Sequence, residues 1–410
     1  AIVVGAGPGG ATTAAFMAQA GLKVLLLDKA HFPRDKVCGD AVSSRSVGVL
    51  KELGILDRVL EAGGLGSWGF TFGAPCGDAV SIPYTREYDR SRPPALVCAR
   101  KTFDRVLVER AVASGAEVWQ GTTVERLLRK NGQVVGVRAR RGPSQKATPA
   151  VPFDLHAPLV VGADGAYSVV VRELGMPQLR ARYYAGAIRA YYEDVTGFHE
   201  RNFMEIHFIE GTLPGYFWIF PMGEGRANVG VGMLSHVIKK RGVRLKALLE
   251  HFIGHPRFRD RFREARCVGP VKGWGLPLGS KPRPMAGDGW LLVGDAASLI
   301  DPFTGEGIGN AMVAGREAAQ WARKAKEAGT YSAAFLHGYE QQVMRCMKSE
   351  FRLSRGLQHL MHWPGLLNFV VRKATRSQEL AQVLSGMFDD ERLRRRLLSP
   401  LFYLRLLRNR

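Results

Sequence analysis

The stretch AIVVGAGPGGATTAAFMAQAGLKVLLLDK, residues 1–29, constrains the fold more than any other part of the chain. Its first apolar run predicts a buried strand, the Ala-rich run a helix, and the second apolar run another strand. Between strand and helix, Gly5, Gly7 and Gly10 form a G-x-G-x-x-G turn. In such a unit the first glycine permits the tight bend and the second lets a pyrophosphate approach the backbone. The third lets helix and strand pack closely. The helix start offers unpaired N–H groups and a positive dipole end to phosphate. Asp28 ends the second strand, where a carboxylate can hold ribose hydroxyls. Together these residues predict a dinucleotide site on a parallel sheet.

The hydrophobic period then changes along the chain. After a helical stretch near residues 41–61, residues 67–98 are strand-like and glycine-rich, and residues 98–121 read as a helix followed by a strand. Residues 157–175 repeat the order strand, turn, helix. Between 181 and 235 the pattern alternates with period two, as antiparallel strands do, and GEGR (223–226) supplies a hairpin turn. Strand, loop and helix return at 288–319, and the chain is helical in pattern from about 331. The expected architecture is therefore α/β. A Rossmann-type nucleotide domain comes in three pieces, 1–66, 98–180 and 281–330. An antiparallel β-sheet substrate domain is inserted as 67–97 and 181–280, and residues 331–410 form a helical C-terminal region.

Two later stretches separate FAD from NAD. GADG (162–165) and GDAA (294–297) put Asp164 and Asp295 at strand ends, where a carboxylate can accept hydrogen bonds from a ribityl chain. The turn Gly305-Glu306-Gly307 opens the next helix, so its N–H groups would face the flavin pyrimidine edge and stabilise charge developing on the reduced ring.

The G-x-G-x-x-G turn, Arg100 ahead of FDRVL, GADG and GDAASLIDPFTGEGI together resemble the class of FAD enzymes that includes aromatic hydroxylases, flavin-dependent halogenases and geranylgeranyl reductases. The resemblance spans roughly residues 1–320 and implies FAD as cofactor, with Arg100 and Ile308 as further flavin contacts. Within that class, Lys36-Val37-Cys38-Gly39 matches the K-x-C-G stretch of geranylgeranyl reductases, and Tyr216-Phe217-Trp218-Ile219-Phe220-Pro221 matches their Y-x-W-x-F-P strand. The chain departs from the family's commoner pattern in two places: Asp40 follows Cys38-Gly39 where a second glycine is usual, and one residue fewer separates Pro214 from Tyr216.

On a strand, Tyr216, Trp218 and Phe220 point to one side and present a row of rings suited to a long isoprenoid chain. A period-two aromatic stripe is also what plain core looks like; its company with Cys38 favours a substrate wall. The resemblance implies reduction of prenyl C=C bonds in a geranylgeranyl lipid or a menaquinone side chain. An unactivated alkene has no oxyanion to stabilise, so an acid placed against its carbon is valuable. Cys38 is the candidate catalytic acid, with Arg34 and Lys36 expected to lower its pKa if they point inward. A buried inert thiol is the alternative. Asp40 is expected to cap the helix that follows.

Rival readings are a monooxygenase or a halogenase, and, in another class, a non-catalytic flavin- and lipid-binding protein. Halogenases typically carry W-x-W-x-I-P, against Tyr216 and Phe220 here, and hydroxylases often have histidine where Ser298 stands. With no second glycine turn for a separate NADPH domain, the electron donor is left open among NADPH, a ferredoxin and other small donors.

Five cysteines, at 38, 76, 98, 267 and 346, show no metal-ligand spacing, so no metal is expected. Their scatter, with no secretory leader or long apolar run, favours the cytoplasm. The formal net charge is +21, and residues 321–410 hold 17 Lys+Arg against 7 Asp+Glu. The tail ERLRRRLLSPLFYLRLLRNR interleaves arginine with Leu, Phe and Tyr, a pattern of interfacial helices on anionic membranes and equally of a solvated terminal helix. No nucleic-acid-binding signature accompanies the charge.

Overall fold

The computed structural model describes residues 1–84, 88–142, 151–281 and 283–377, and beyond those positions 380, 383, 384, 399, 401 and 402. The basic tail 391–410 therefore lies outside the described residues, except for those last three.

The nucleotide sheet has six strands in the order Ala286–Gly287, Trp290–Leu292, Val160–Gly162, Ile2–Val4, Leu25–Leu27, Glu117–Trp119. All neighbours are parallel except the first pair. The central strands are short and apolar because both faces are covered, one by helices and the other by the three-stranded sheet of Thr122–Lys130, Gln133–Arg141 and Phe153–His156, which leaves no polar side. Pro8–Gln19 starts with proline at its first turn, where the missing N–H costs nothing. It packs between Arg100–Ala113 and Ile308–Ala328. Gly5 has a left-handed φ of 97°, and a Cβ on Gly10 would run into the Gly5 carbonyl. The turn thus closes only with glycine at both positions.

A second sheet of seven strands runs in the order Arg266–Pro277, Tyr184–Glu193, Arg226–Leu234, Gly215–Gly223, Met204–His207, Gly69–Gly73, Ala79–Pro83. It is antiparallel apart from the contact between Met204–His207 and Gly69–Gly73. Glu224 and Gly225, with φ of 51° and 71°, turn the hairpin between Gly215–Gly223 and Arg226–Leu234. One face of this sheet packs Phe217 and Ile219 against Leu249, Phe252 and Phe258. The other face carries Tyr216, Trp218 and Phe220 toward the nucleotide domain.

The helix Ala333–Leu360 crosses back over the nucleotide domain. Its Tyr339 hydroxyl donates to the Leu292 carbonyl at 2.7 Å, Ser354 donates to Asp301 at 2.6 Å, and Gln358 donates to the Pro302 carbonyl at 2.6 Å. The C-terminal region therefore holds the loop that precedes helix Ile308–Ala328. Among the described residues, no helix is long and apolar enough to cross a membrane.

Candidate active site

A cavity of about 900 Å³ lies between the two sheets. One end is formed by the glycine turn, Asp28 and Arg100, the middle by Cys38, Asp295 and the 305–308 turn, and the other end by Tyr216, Trp218 and Phe220. The three sequence motifs, far apart in the chain, thus line one space.

At the first end, the Asp28 carboxylate accepts from the N–H groups of Ala6 (2.7 Å) and Ala30 (2.8 Å), tying the second strand to the glycine turn. Gly7 is open: a Cβ there would approach only the Arg100 and Arg34 guanidinium groups, at 3.9 and 4.0 Å. Two cations and a helix N-terminus therefore border a gap without side chains, a fit for a pyrophosphate. Asp104 fastens both cations, at 2.7 and 2.8 Å from Arg100 and 2.6 Å from Arg34. Neither Arg34 as a phosphate neighbour nor Asp104 was singled out by motif, although the i,i+4 spacing of Arg100 and Asp104 on a helix was a signal for that pair.

The two strand-end aspartates differ. Asp164 accepts from the Ser168 hydroxyl (2.5 Å) and from the N–H groups of Val169 (2.6 Å) and Val170 (3.2 Å), so its carboxylate secures the start of helix Val169–Glu173. Among the described residues, no hydrogen bond reaches the Asp295 carboxylate, which borders the cavity. Burial raises the pKa of both. Asp295 is thus the carboxylate of the pair with both oxygens free for a ligand. Lys36 lies 3.3 Å over the Trp274 ring; burial lowers its pKa to about 8, and Asp295 pulls it part of the way back.

The 305–308 turn is also divided in its work. Gly305 has φ of 73° and its N–H donates to the Asp301 carbonyl, while the Glu306 carboxylate accepts the Gly309 N–H at 2.6 Å. Among the described residues the N–H groups of Gly307 and Ile308 have no protein acceptor, and both residues line the cavity. These two, rather than Gly305, are the donors a bound ring can use.

Cys38 departs from expectation. The cation beside its thiol is Arg100; Arg34 is pulled onto Asp104 and Lys36 onto Trp274. Burial outweighs Arg100 and raises the thiol pKa, with the nearby Asp40 adding to the rise. The group is held as S–H, a form that can give a proton, and not as the thiolate that flanking cations would favour. Asp40 does not cap the next helix: Ser43 does, accepting from the Ser46 N–H. Asp40 instead takes a left-handed φ of 65° and buries its carboxylate beneath the loop.

Tyr216, Trp218 and Phe220 stand in a row with ring centroids 6.1 and 6.2 Å apart. Each meets one of the other motifs. The Tyr216 hydroxyl donates to the Thr304 carbonyl at 2.7 Å, against the flavin-side turn. A Cβ on Gly39 would lie 3.2 Å from the Phe220 ring and 3.6 Å from the Trp218 nitrogen, so the small residue after Cys38 lets the rings close on it. Asn228 joins the two motifs: Trp218 Nε1 donates to its Oδ1 at 2.9 Å, and its Nδ2 donates to the Cys38 carbonyl (2.8 Å) and to Asp40 Oδ2 (2.9 Å). Asn228 escaped motif reasoning entirely.

A family model described as an FAD binding domain matches residues 1–350. Among curated relatives, a menaquinone reductase of Mycolicibacterium smegmatis is 32% identical, over 95% of this chain and 92% of its own. A digeranylgeranylglycerophospholipid reductase of Methanopyrus kandleri is also 32% identical, over 95% and 98%. The chain belongs to the geranylgeranyl reductase family of FAD-dependent oxidoreductases. Among solved structures, a geranylgeranyl bacteriochlorophyll reductase-like protein of Thermoplasma acidophilum superposes with a TM-score of 0.81 at 27% identity, covering 97% of each chain. FAD is accordingly the cofactor of this family member. The open gap at Gly7, the unpartnered Asp295 carboxylate and the free Gly307 and Ile308 N–H groups all border the one cavity and suit such a cofactor.

Proposed function

We propose that this reductase saturates C=C bonds of an isoprenoid chain, such as that of a geranylgeranyl lipid or a menaquinone. The observation that carries the reading is the placement of the Cys38 thiol, whose pKa burial raises, at the junction of the flavin end of the cavity and the aromatic row. The relatives named for prenyl substrates add support. When bound, reduced FAD supplies a hydride. The protein's part is to bind and orient the alkene, exclude water and hold a proton at the sulfur.

In this reading residues 1–66, 98–180 and 281–330 serve the cofactor, and residues 67–97 and 181–280 serve the substrate. Gly5, Gly7, Gly10 and Arg100 border the pyrophosphate and Asp28 the ribose. Asp295 meets the ribityl chain, Asp164 acts through the turn it secures, and Gly305 shapes the loop from which Gly307 and Ile308 donate to the ring. Tyr216, Trp218 and Phe220 form the wall along which the prenyl chain lies, continued by Phe303. Cys38 is the catalytic acid. Cys38→Ala should retain FAD, as judged by its visible spectrum, and lose alkene reduction by about a hundredfold or more. Full activity in that variant would return Cys38 to a packing role.

Lipid substrates place the enzyme at the membrane surface, and the arginine- and leucine-rich tail is suited to hold it there. Deleting residues 391–410 should weaken binding to anionic vesicles in a salt-dependent way; binding unchanged across a salt series would remove the tail from that role. The electrons come from a diffusible donor such as NADPH or a ferredoxin. Spectroscopic reduction of bound FAD by one such donor under anaerobic conditions, and not by the others, would identify it.

A further inference from the structure

We propose that Asp40 is a proton store behind Cys38, returning a proton to the thiol after each turnover through a short file of polar side chains, Cys38–Asp40–Tyr191. The proposal rests on the reading of Cys38 as the proton donor. Each saturated bond consumes one proton, and a thiol sealed in a cavity occupied by a lipid has no direct access to bulk water.

The geometry of the loop sets this up. The left-handed backbone of Asp40, two residues after Cys38, turns its carboxyl into the protein, where the residue is fully buried, and Asn228 Nδ2 bridges that carboxyl and the Cys38 carbonyl. Oδ2 accepts from the Tyr191 hydroxyl at 2.7 Å and from Asn228 at 2.9 Å. Oδ1 is buried and has no partner among the described residues. An ionised carboxylate with an unpaired oxygen is costly at such a site, whereas a carboxylic acid carries there a hydrogen it can give. Glycine would hold the same backbone with less strain, so the turn alone does not call for a carboxyl.

The other groups facing Asp40 are Arg189 and Arg100, which favour its ionised form, and Cys98, whose thiol burial pushes up to about 12. Burial outweighs the cations and raises Asp40 to about 6. Outward from Tyr191 the path reaches the rim of the cavity. The Arg189 guanidinium lies 4.1 Å from the centre of the Tyr191 ring and pairs with Asp35 at 2.5 Å. Asp35 in turn pairs with the half-exposed Lys272 at 2.6 Å.

The step balances without a further reagent. The Cys38 S–H bond breaks as a C–H bond forms at one alkene carbon, and the hydride supplied by the cofactor completes the other carbon. The Asp40 O–H bond then breaks as the S–H bond re-forms. The carboxylate is restored through the Tyr191 hydroxyl, which gives its proton inward while taking one from water at the rim. Asp40 and Tyr191 act through Cys38 and are positioning residues.

The test uses full-length holoenzyme carrying Asp40→Asn, Asp40→Gly or Tyr191→Phe, each checked for bound FAD; Asp40→Gly keeps the left-handed turn available if the amide variant does not fold. The first readout is alkylation of Cys38 by iodoacetamide in the oxidised enzyme, followed by peptide mass spectrometry across pH. Removing the neighbouring carboxyl should move the onset of alkylation to lower pH, because that carboxylate disfavours the thiolate. The second is the anaerobic turnover of an unsaturated menaquinone by dithionite-reduced enzyme. In the Asp40 and Tyr191 variants the first turnover should proceed and later ones slow by about tenfold or more. Folded variants that match wild type in both readouts, or that slow the first and later turnovers equally, overturn the proposal. A wild-type enzyme that reduces no prenyl alkene would instead sink the underlying reading, and the alkylation shift would still decide whether Asp40 and Cys38 are linked.

Discussion

Replacing Asn228 by Ala tests whether the Cys38 loop and the aromatic strand work as one unit. Asn228 makes three buried hydrogen bonds, to the Trp218 indole, the Cys38 carbonyl and Asp40. Truncation leaves the Trp218 N–H and the Cys38 carbonyl unpaired, at roughly 1–3 kcal/mol each, and takes one of two donors from Asp40 Oδ2, which keeps the Tyr191 hydroxyl. A total near 3–6 kcal/mol is the working figure. With an unfolding entropy of about 2.1 cal/mol/K per residue, the whole chain changes by about 0.9 kcal/mol/K, so the melting temperature should fall by about 4–7 °C. The assay is thermal unfolding of the FAD-loaded protein by near-UV circular dichroism, at one flavin concentration and one scan rate. No Asn228 bond reaches the glycine turn or Asp295, so FAD content should stay near wild type while alkene reduction falls by about tenfold or more. A double-mutant cycle with Trp218→Phe should return a coupling of about 0.5–3 kcal/mol for the indole bond. A melting temperature within about 1 °C of wild type together with unchanged turnover would refute the idea that Asn228 couples the two motifs.

Two further outcomes follow from the same geometry. The folded-state pKa of Asp40, raised to about 6, lies above its unfolded value near 4. The native state then holds the extra proton between those values, so this group's contribution to stability is lost as pH rises from about 4 to 6, by up to about 3 kcal/mol. Melting curves of wild type and Asp40→Asn across that range should show the steeper decline in wild type; parallel curves would mean Asp40 titrates normally. Gly10→Ala drives a methyl group into the Gly5 carbonyl and should abolish FAD binding, read as loss of the visible flavin spectrum after desalting. Retained flavin would mean that the turn tolerates a shift the packing argues against.

How much of this was readable in the chain depends on the range of the interaction. The glycine turn and its strand–helix–strand setting were legible because each residue's role is local. The common face of Tyr216, Trp218 and Phe220 followed from the period of a strand. What the sequence did not show is which partner arrives from elsewhere. Arg100 reaches Cys38 from a helix 62 positions later, whereas Arg34 and Lys36, the local candidates, are drawn off by Asp104 and Trp274.

Asn228 shows a subtler limit. Counting back from the Glu224-Gly225 turn, with Gly223 opposite Arg226, would set Asn228 opposite Pro221, on the face of Ile219. A bulge between Pro221 and Gly223 shifts the pairing so that Asn228 stands opposite Phe220. One extra residue thus moves the side chain to the other face of the sheet and under Trp218. Asp40 likewise gave no warning, since a left-handed aspartate and a capping aspartate look alike until the backbone is known.

The most direct test of the account is the mass of the product. Purified protein is reduced with dithionite in the absence of oxygen, supplied with a panel of geranylgeranyl lipids and menaquinones, and the extracted lipids are analysed by mass spectrometry. The account predicts products heavier by two hydrogens per turnover with at least one of these prenyl substrates, and no such gain with Cys38→Ala. No gain without oxygen, followed by addition of an oxygen or halogen atom once air and halide are present, would contradict it and make the enzyme a monooxygenase or halogenase on the same fold.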